Sequence, residues 1–177
     1  MSRHPIRNTA PGRRCGIGGI LALGLACLPA SGASAPLSLD PEKACAALAG
    51  EGLGARGGYR GRPGETHRCD SRRRTLVAGN GAQHEIRFSA LGSEASVDEL
   101  QLELTIRSRG DVQRAHRRLA EYADQLTRNT LGFGLPSAVE EAILSALNGE
   151  WTEGDRDFAL RRTTVANGLY ALRLTIR

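Results

Sequence analysis

Apolar and polar positions alternate strictly over two stretches near the middle of the chain. His84, Ile86, Phe88 and Ala90 alternate with Glu85, Arg87 and Ser89; Leu100, Leu102, Leu104 and Ile106 alternate with Gln101, Glu103, Thr105 and Arg107. A period of two sends every second side chain to the same face, so both stretches predict strands with one buried and one wet face. Phe158 and Leu160 mark another strand, and Tyr170, Leu172, Leu174 and Ile176 the buried face of a last one. Thr66 to Asp70 reads as a further strand, carrying Cys69. Asn80-Gly81 and Asn167-Gly168 are tight-turn pairs of the kind that close hairpins.

The period lengthens to that of a helix in three places. Asp40-Pro41-Glu42 predicts a start, with Asp as cap and Pro at the first helical position, and Ala44, Cys45 and Leu48 on one face up to Gly50. Val112, Ala115, Leu119, Tyr122, Ala123 and Leu126 recur at helical spacing behind an expected Asp111 cap. Behind Pro136, Ser137 and Glu140 have capping-box spacing. Val139, Ile143, Leu144 and Leu147 form the stripe of that third helix, and Asn148-Gly149 ends it. Residues 36–39 read as a short lead-in, and the Gly-rich residues 50–64, with Pro63, as an irregular exposed loop.

One apolar face per strand and one stripe per helix predict an α+β fold: a two-layer antiparallel sheet of about five strands with helices packed on one face. The order of elements resembles that of the small chaperones of type III secretion. The likeness is one of order alone, without shared residue motifs, and implies no function.

The first 35 residues read differently. Arg3, Arg7, Arg13 and Arg14 precede an apolar stretch from Cys15 to Leu28, and small residues run from Ala30 to Ala35. The stretch is shorter than the roughly 20 apolar residues that span a bilayer. A basic head, a short apolar core and a small-residue tail predict a secretory signal peptide over residues 1–35. Cleavage after Ala35 fits Ala33-Ser34-Ala35, with Gly32 and Ala33 as alternative sites. Gly24-Leu25-Ala26-Cys27 resembles a lipobox with Gly in place of its usual Leu, which leaves an envelope lipoprotein as an alternative, and Arg13-Arg14 lacks the residues that should follow a twin-arginine pair.

Export changes how composition is read. The chain carries a net charge of +5, yet residues 36–177 hold 20 basic and 19 acidic residues, so the exported domain is close to neutral. The high pI therefore does not point to nucleic acid. Of four cysteines, Cys15 and Cys27 fall in the signal; Cys45 and Cys69 remain, and an oxidising compartment predicts a disulfide between them. Lys43 is the only lysine. The Arg bias fits a GC-rich genome. No further membrane segment is expected in the exported part, and its oligomeric state is left open.

Candidate chemistry is sparse. His67, His84 and His116 are far apart, and bridging Cys45 to Cys69 removes the thiolates that could join His67 on a metal, so neither a metal nor another cofactor is expected. No nucleophile elbow is present, and Gly132-Phe133-Gly134-Leu135-Pro136 lacks the lysine of a phosphate loop. Glu150, Glu153, Asp155 and Asp157 around Trp151 could supply an acid and a base, but read more simply as a solvated acidic turn anchored by Trp151. No catalytic residue is assigned.

The most suggestive feature is seven arginines in nineteen residues: Arg56, Arg60, Arg62, Arg68, Arg72, Arg73 and Arg74, against Glu65 and Asp70. Guanidinium groups make paired hydrogen bonds to carboxylate and phosphate. The segment is a candidate binding loop for an acidic envelope protein or an anionic surface; with Tyr59 as its one aromatic, it lacks the stacking platforms of a nucleic-acid binder. The expected function is a non-enzymatic periplasmic binding or accessory domain. The alternatives are a periplasmic hydrolase with dispersed His and carboxylate groups and a protein acting outside the cell.

Overall fold

The two alternating stretches form the centre of the molecule. In the computed structural model, which describes residues 37–77 and 83–177, they are β4 (Gln83–Gly92) and β5 (Val97–Ile106), paired antiparallel with Ile86 opposite Leu104 and Phe88 opposite Leu102. Their even-numbered side chains are buried from His84 to Ala90 and from Leu100 to Ile106. The other strands are β1 (Ala55–Arg60), β2 (His67–Ser71), β3 (Arg74–Val77), β6 (Gly149–Glu153), β7 (Arg156–Thr164) and β8 (Tyr170–Ile176). The sheet runs β1-β2-β4-β5-β8-β7-β6, with β3 pairing β4 beyond the end of β2, and every pairing is antiparallel.

The fold is α+β, as the patterning predicts, but the sheet has eight strands rather than about five. The three additional strands lack alternation for physical reasons. β1 lies in the Gly-rich segment read as a loop, where Gly57 and Gly58, both at positive φ, bulge the strand between Arg56 and Arg60. β3 is four residues long. β6 occupies the segment read as an acidic turn; its residues are exposed or half-buried, so no apolar period marks it.

Among the described residues there are three helices: α1 (Pro41–Ala46), α2 (Val112–Leu131) and α3 (Ser137–Ser145). Asp40 caps α1 through its carboxylate, which accepts from the Lys43 amide at 2.9 Å. α1 ends at Ala46, short of Gly50, and a series of turns carries Leu48 and Leu53 into the core. The other two expected caps are not made. Asp111 sits in the left-handed region (φ 52°) with its side chain uninvolved, and Pro136 holds the cap position of α3, so Ser137 is already helical and no capping box forms. α3 stops at a left-handed Ala146, ahead of Asn148-Gly149. That reversal leaves Leu147 63% exposed rather than on the buried stripe. α2 keeps its stripe: Ala115, Leu119, Tyr122, Ala123 and Leu126 are buried in one core with Val139 and Ile143 of α3 and the inward residues of β4, β5, β7 and β8.

The ends of the chain's loops are tied in. Leu39, expected in a loose lead-in, exchanges two backbone hydrogen bonds with Val97 (3.1 and 3.0 Å), and Leu37 is fully buried. Asn167 and Gly168 both adopt positive φ in the β7–β8 turn, as their pairing predicts. Asn80-Gly81 and residues 1–35, where a signal peptide is expected, with Cys15, Cys27 and the lipobox-like residues, lie outside the described residues. No helix of the described part is long and apolar enough to cross a membrane.

Candidate functional site

The arginine-rich segment lies along one edge of the sheet. β1 is the edge strand. It pairs β2 with Arg56 opposite Asp70 and Arg60 opposite Arg68, and cross-strand partners share a face. Arg56, Arg60, Arg68 and Asp70 therefore stand together on the face opposite the core, while Cys69 points inward. Cys69 is bonded to Cys45 of α1, with the two Cα atoms 6.0 Å apart. The disulfide ties β2, and through it the edge strand β1, to the first helix and closes a loop spanning 24 residues, which chain-entropy reasoning values at about 3 kcal/mol.

β2 and β3 are one strand interrupted. After Asp70 pairs with Ser89, the chain leaves β4 and rejoins it where Arg74 pairs with Ile86. In the gap, the Ser71 hydroxyl takes the place of a backbone acceptor and receives the Phe88 amide at 2.9 Å. Arg72 and Arg73 are carried outward on this interruption, both exposed.

The seven arginines do not act alike. Arg68 is spent on Asp70 through two parallel bonds of 2.8 and 2.7 Å. The Asp70 carboxyl is subject to burial, which raises its pKa, but the bonds from Arg68 and Ser89 and the charges of Arg68 and Arg87 hold it below 3.8. Arg73 pairs with Glu85 at 3.5 Å, Arg62 lies 4.0 Å from Glu65, and Arg74 donates to the backbone carbonyl of Glu51. Arg56, Arg60 and Arg72 remain exposed, with no ion pair or hydrogen bond from their side chains among the described residues. Among the described residues, the charge count in the sequence thus reduces to three unpaired guanidinium groups, two on the edge strand β1 and one on the interruption after β2.

The rest of that face is neutralised by cross-strand pairing. Glu103 is held between Arg87 (3.8 Å) and Arg173 (2.7 Å), directly opposite it on either side, and Glu99 pairs with Arg177 (2.6 Å). Glu103 and Glu99 are under one-fifth exposed. Glu150 pairs with Arg161, and Thr152 donates to Asp157 at 2.8 Å. Trp151 does pack against the core as expected, though from within β6, opposite Phe158 and folded over Gly149.

The histidines do not come together as a catalytic set. His67 lies beside Tyr59 on the edge, with Nδ1 3.3 Å from the Glu65 carbonyl. His84 is buried, donates from Nε2 to the Gly110 carbonyl (2.9 Å) and accepts the Arg107 amide at Nδ1 (3.4 Å). It shares a recess with Asp111, but both ring nitrogens are engaged by the backbone. His116 is buried between the Leu144 carbonyl and the Tyr170 hydroxyl. Among the described residues no three His, Cys, Asp or Glu side chains converge as a metal ion would need.

Sequence reasoning missed two arginines that the fold brings to Arg74: Arg114 and Arg118 of α2 line the same recess. Their spacing of four on one helix face was the signal, since like charges at that spacing weaken a helix.

No protein-family model matches the chain. Among solved structures, none matches it significantly. Among curated proteins, Ral guanine nucleotide dissociation stimulator-like 2 of Mus musculus is 31% identical over 124 residues, 67% of this chain. The chain spans 16% of that protein's length, a stretch too small to carry the whole protein's activity across.

Proposed function

We propose that this chain is an exported, non-enzymatic binding domain of the bacterial envelope, and that the β1 edge with Arg56 and Arg60, together with Arg72 on the β2–β3 interruption, receives an acidic protein partner. The observation that carries the reading is the division of the seven arginines: among the described residues three are exposed and unpaired at or beside a sheet edge, while the neighbouring charges are matched. An edge strand offers unpaired backbone groups to an added strand, and carboxylates on that strand would meet guanidinium groups able to bind them in pairs. In this reading the helices form one layer over the buried face of the sheet and leave the charged face to solvent. The disulfide suits the oxidising periplasm.

The test is capture from envelope extract on the immobilised oxidised domain, read by mass spectrometry. A specific acidic partner eluting at moderate salt, and lost on Arg56→Glu/Arg60→Glu/Arg72→Glu, is expected. Retention of that partner by the triple variant would remove the edge as the site. Intact mass of the protein purified from the envelope tests export separately: loss of the first 35 or so residues is expected. A lipid adduct on Cys27 would identify a lipoprotein, and a mass that retains Met1 would overturn export.

A further inference from the structure

The recess between β3, β4 and the start of α2 is distinct from the arginine edge and has its own chemistry. Its walls include Arg74 and Thr75 of β3, His84 of β4, Asp111, and Arg114 and Arg118 of α2. The volume is about 160 Å³. That is below the roughly 300–1,000 Å³ of pockets for drug-sized ligands, and leaves room for a compact ion with a few waters. Three guanidinium groups, from segments forty residues apart in the chain, converge on it against one lining carboxylate.

Part of this charge is already used. Arg74 donates one nitrogen to the Glu51 carbonyl, and Arg118 pairs one nitrogen with Glu121 and also feels Glu51. Each guanidinium has five N–H donors, so both keep donors to spare. Arg114 is exposed and has no side-chain partner among the described residues. The floor is His84, whose two ring nitrogens are engaged by the backbone: Nε2 donates to the Gly110 carbonyl and Nδ1 accepts the Arg107 amide, so neither is left to hold an anion. At the helix start, the Asp111 side chain makes no capping bond, so it does not compete for the first-turn amides of α2.

We infer that this recess binds a compact dianionic oxyanion of the phosphate class, gripped by Arg74, Arg114 and Arg118. A dianion is favoured over a single carboxylate because three cations face it. The same chemistry is offered by free phosphate and by the phosphomonoester headgroup of a lipid such as phosphatidate.

The experiment titrates the full oxidised chain with inorganic phosphate at constant ionic strength, following backbone amide shifts by NMR and heat by calorimetry. A second arm measures sedimentation with phosphatidate-containing vesicles against phosphatidylcholine vesicles. Saturable binding is expected, with shifts confined to Thr75, Asp111, Val112, Gln113 and Arg114. Arg114→Gln, an exposed and unpaired position, should weaken binding about tenfold. Asp111→Asn, which removes the repelling carboxylate, should tighten it. Binding to phosphatidate vesicles alone would assign the ligand to the lipid source and sustain the site. Failure to saturate in both arms, an unaltered affinity in Arg114→Gln, or shifts centred on Arg56, Arg60 and Arg72 would overturn it. Because the edge and the recess use different arginines, either proposal can fail without the other.

Discussion

The Tyr170 hydroxyl donates to Nε2 of His116 at 2.8 Å, joining the last strand to the long helix across 54 residues of sequence. The other ring nitrogen donates to the Leu144 carbonyl at 3.2 Å, so the neutral ring satisfies both contacts and a protonated ring cannot accept from Tyr170. Burial, chiefly, pushes the pKa of His116 below 6.5. The Arg162 and His84 charges add to this, while the bond to Leu144 opposes it.

A base whose pKa is lower in the folded state than in the unfolded state stabilises the fold above its unfolded pKa and loses that contribution as pH falls. Urea midpoints are therefore expected to be constant above about pH 7 and to fall as pH drops below 6.5. The carboxyls held low, Asp70 and Asp124, lose their contribution only as pH falls below 3.8, so the histidine effect sets in first. His116→Gln should flatten the slope that sets in below pH 6.5. An unchanged slope in that variant would assign the effect elsewhere.

Tyr170→Phe leaves His116 without its donor while keeping the ring that Arg162 covers at 4.0 Å. A loss of about 1 kcal/mol in urea unfolding is expected, from one buried acceptor left unmade.

Removing the disulfide with Cys45→Ala/Cys69→Ala should lower stability by about 3 kcal/mol. Dithiothreitol should destabilise the parent by a similar amount and leave the double variant unaffected.

Ser71→Ala deletes the hydroxyl that receives the Phe88 amide in the interruption between β2 and β3. Both groups are buried, so a cost of about 1–3 kcal/mol is expected by chemical denaturation. Faster exchange of the Phe88 amide should accompany it.

Gly92→Ala would place a Cβ 2.2 Å from the Ser96 carbonyl oxygen, which is backbone and cannot swing aside. The β4–β5 connection must then distort, at an expected cost of about 1–3 kcal/mol. A thermal midpoint equal to that of the parent would show that the connection adapts freely.

What the sequence disclosed follows from how each element is buried. β4, β5 and β8 alternate because one face is sealed by core and the other carries ion pairs, so Phe88, Leu102 and Leu174 could be placed from spacing alone. β1 and β6 are edges with little to bury, and Arg56 or Glu150 looks the same in a strand as in a loop. The expected caps at Asp111 and Ser137 failed because capping is decided by backbone angles at a single residue. The disulfide was legible from count, since Cys45 and Cys69 are the two cysteines that follow residue 35. The arginine edge was legible as charge, but its division into matched and unmatched groups depends on which carboxylates register opposite them. Arg114 and Arg118 could meet Arg74 only through the packing of α2 against the sheet.

The strand order sets a timetable. β8 is the last strand in chain order, yet it lies inside the sheet, between β5 and β7. Until residues Tyr170–Ile176 have been synthesised, β5 has an empty flank and the β6–β7 hairpin has nothing to join. Pairings this distant in sequence close slowly, because the intervening chain must first be ordered. A nascent chain that ends before this strand therefore has the two halves of its sheet without the strand that joins them. The same placement makes the final strand the keystone of assembly: a chain interrupted shortly before Tyr170 would lose the middle of its sheet.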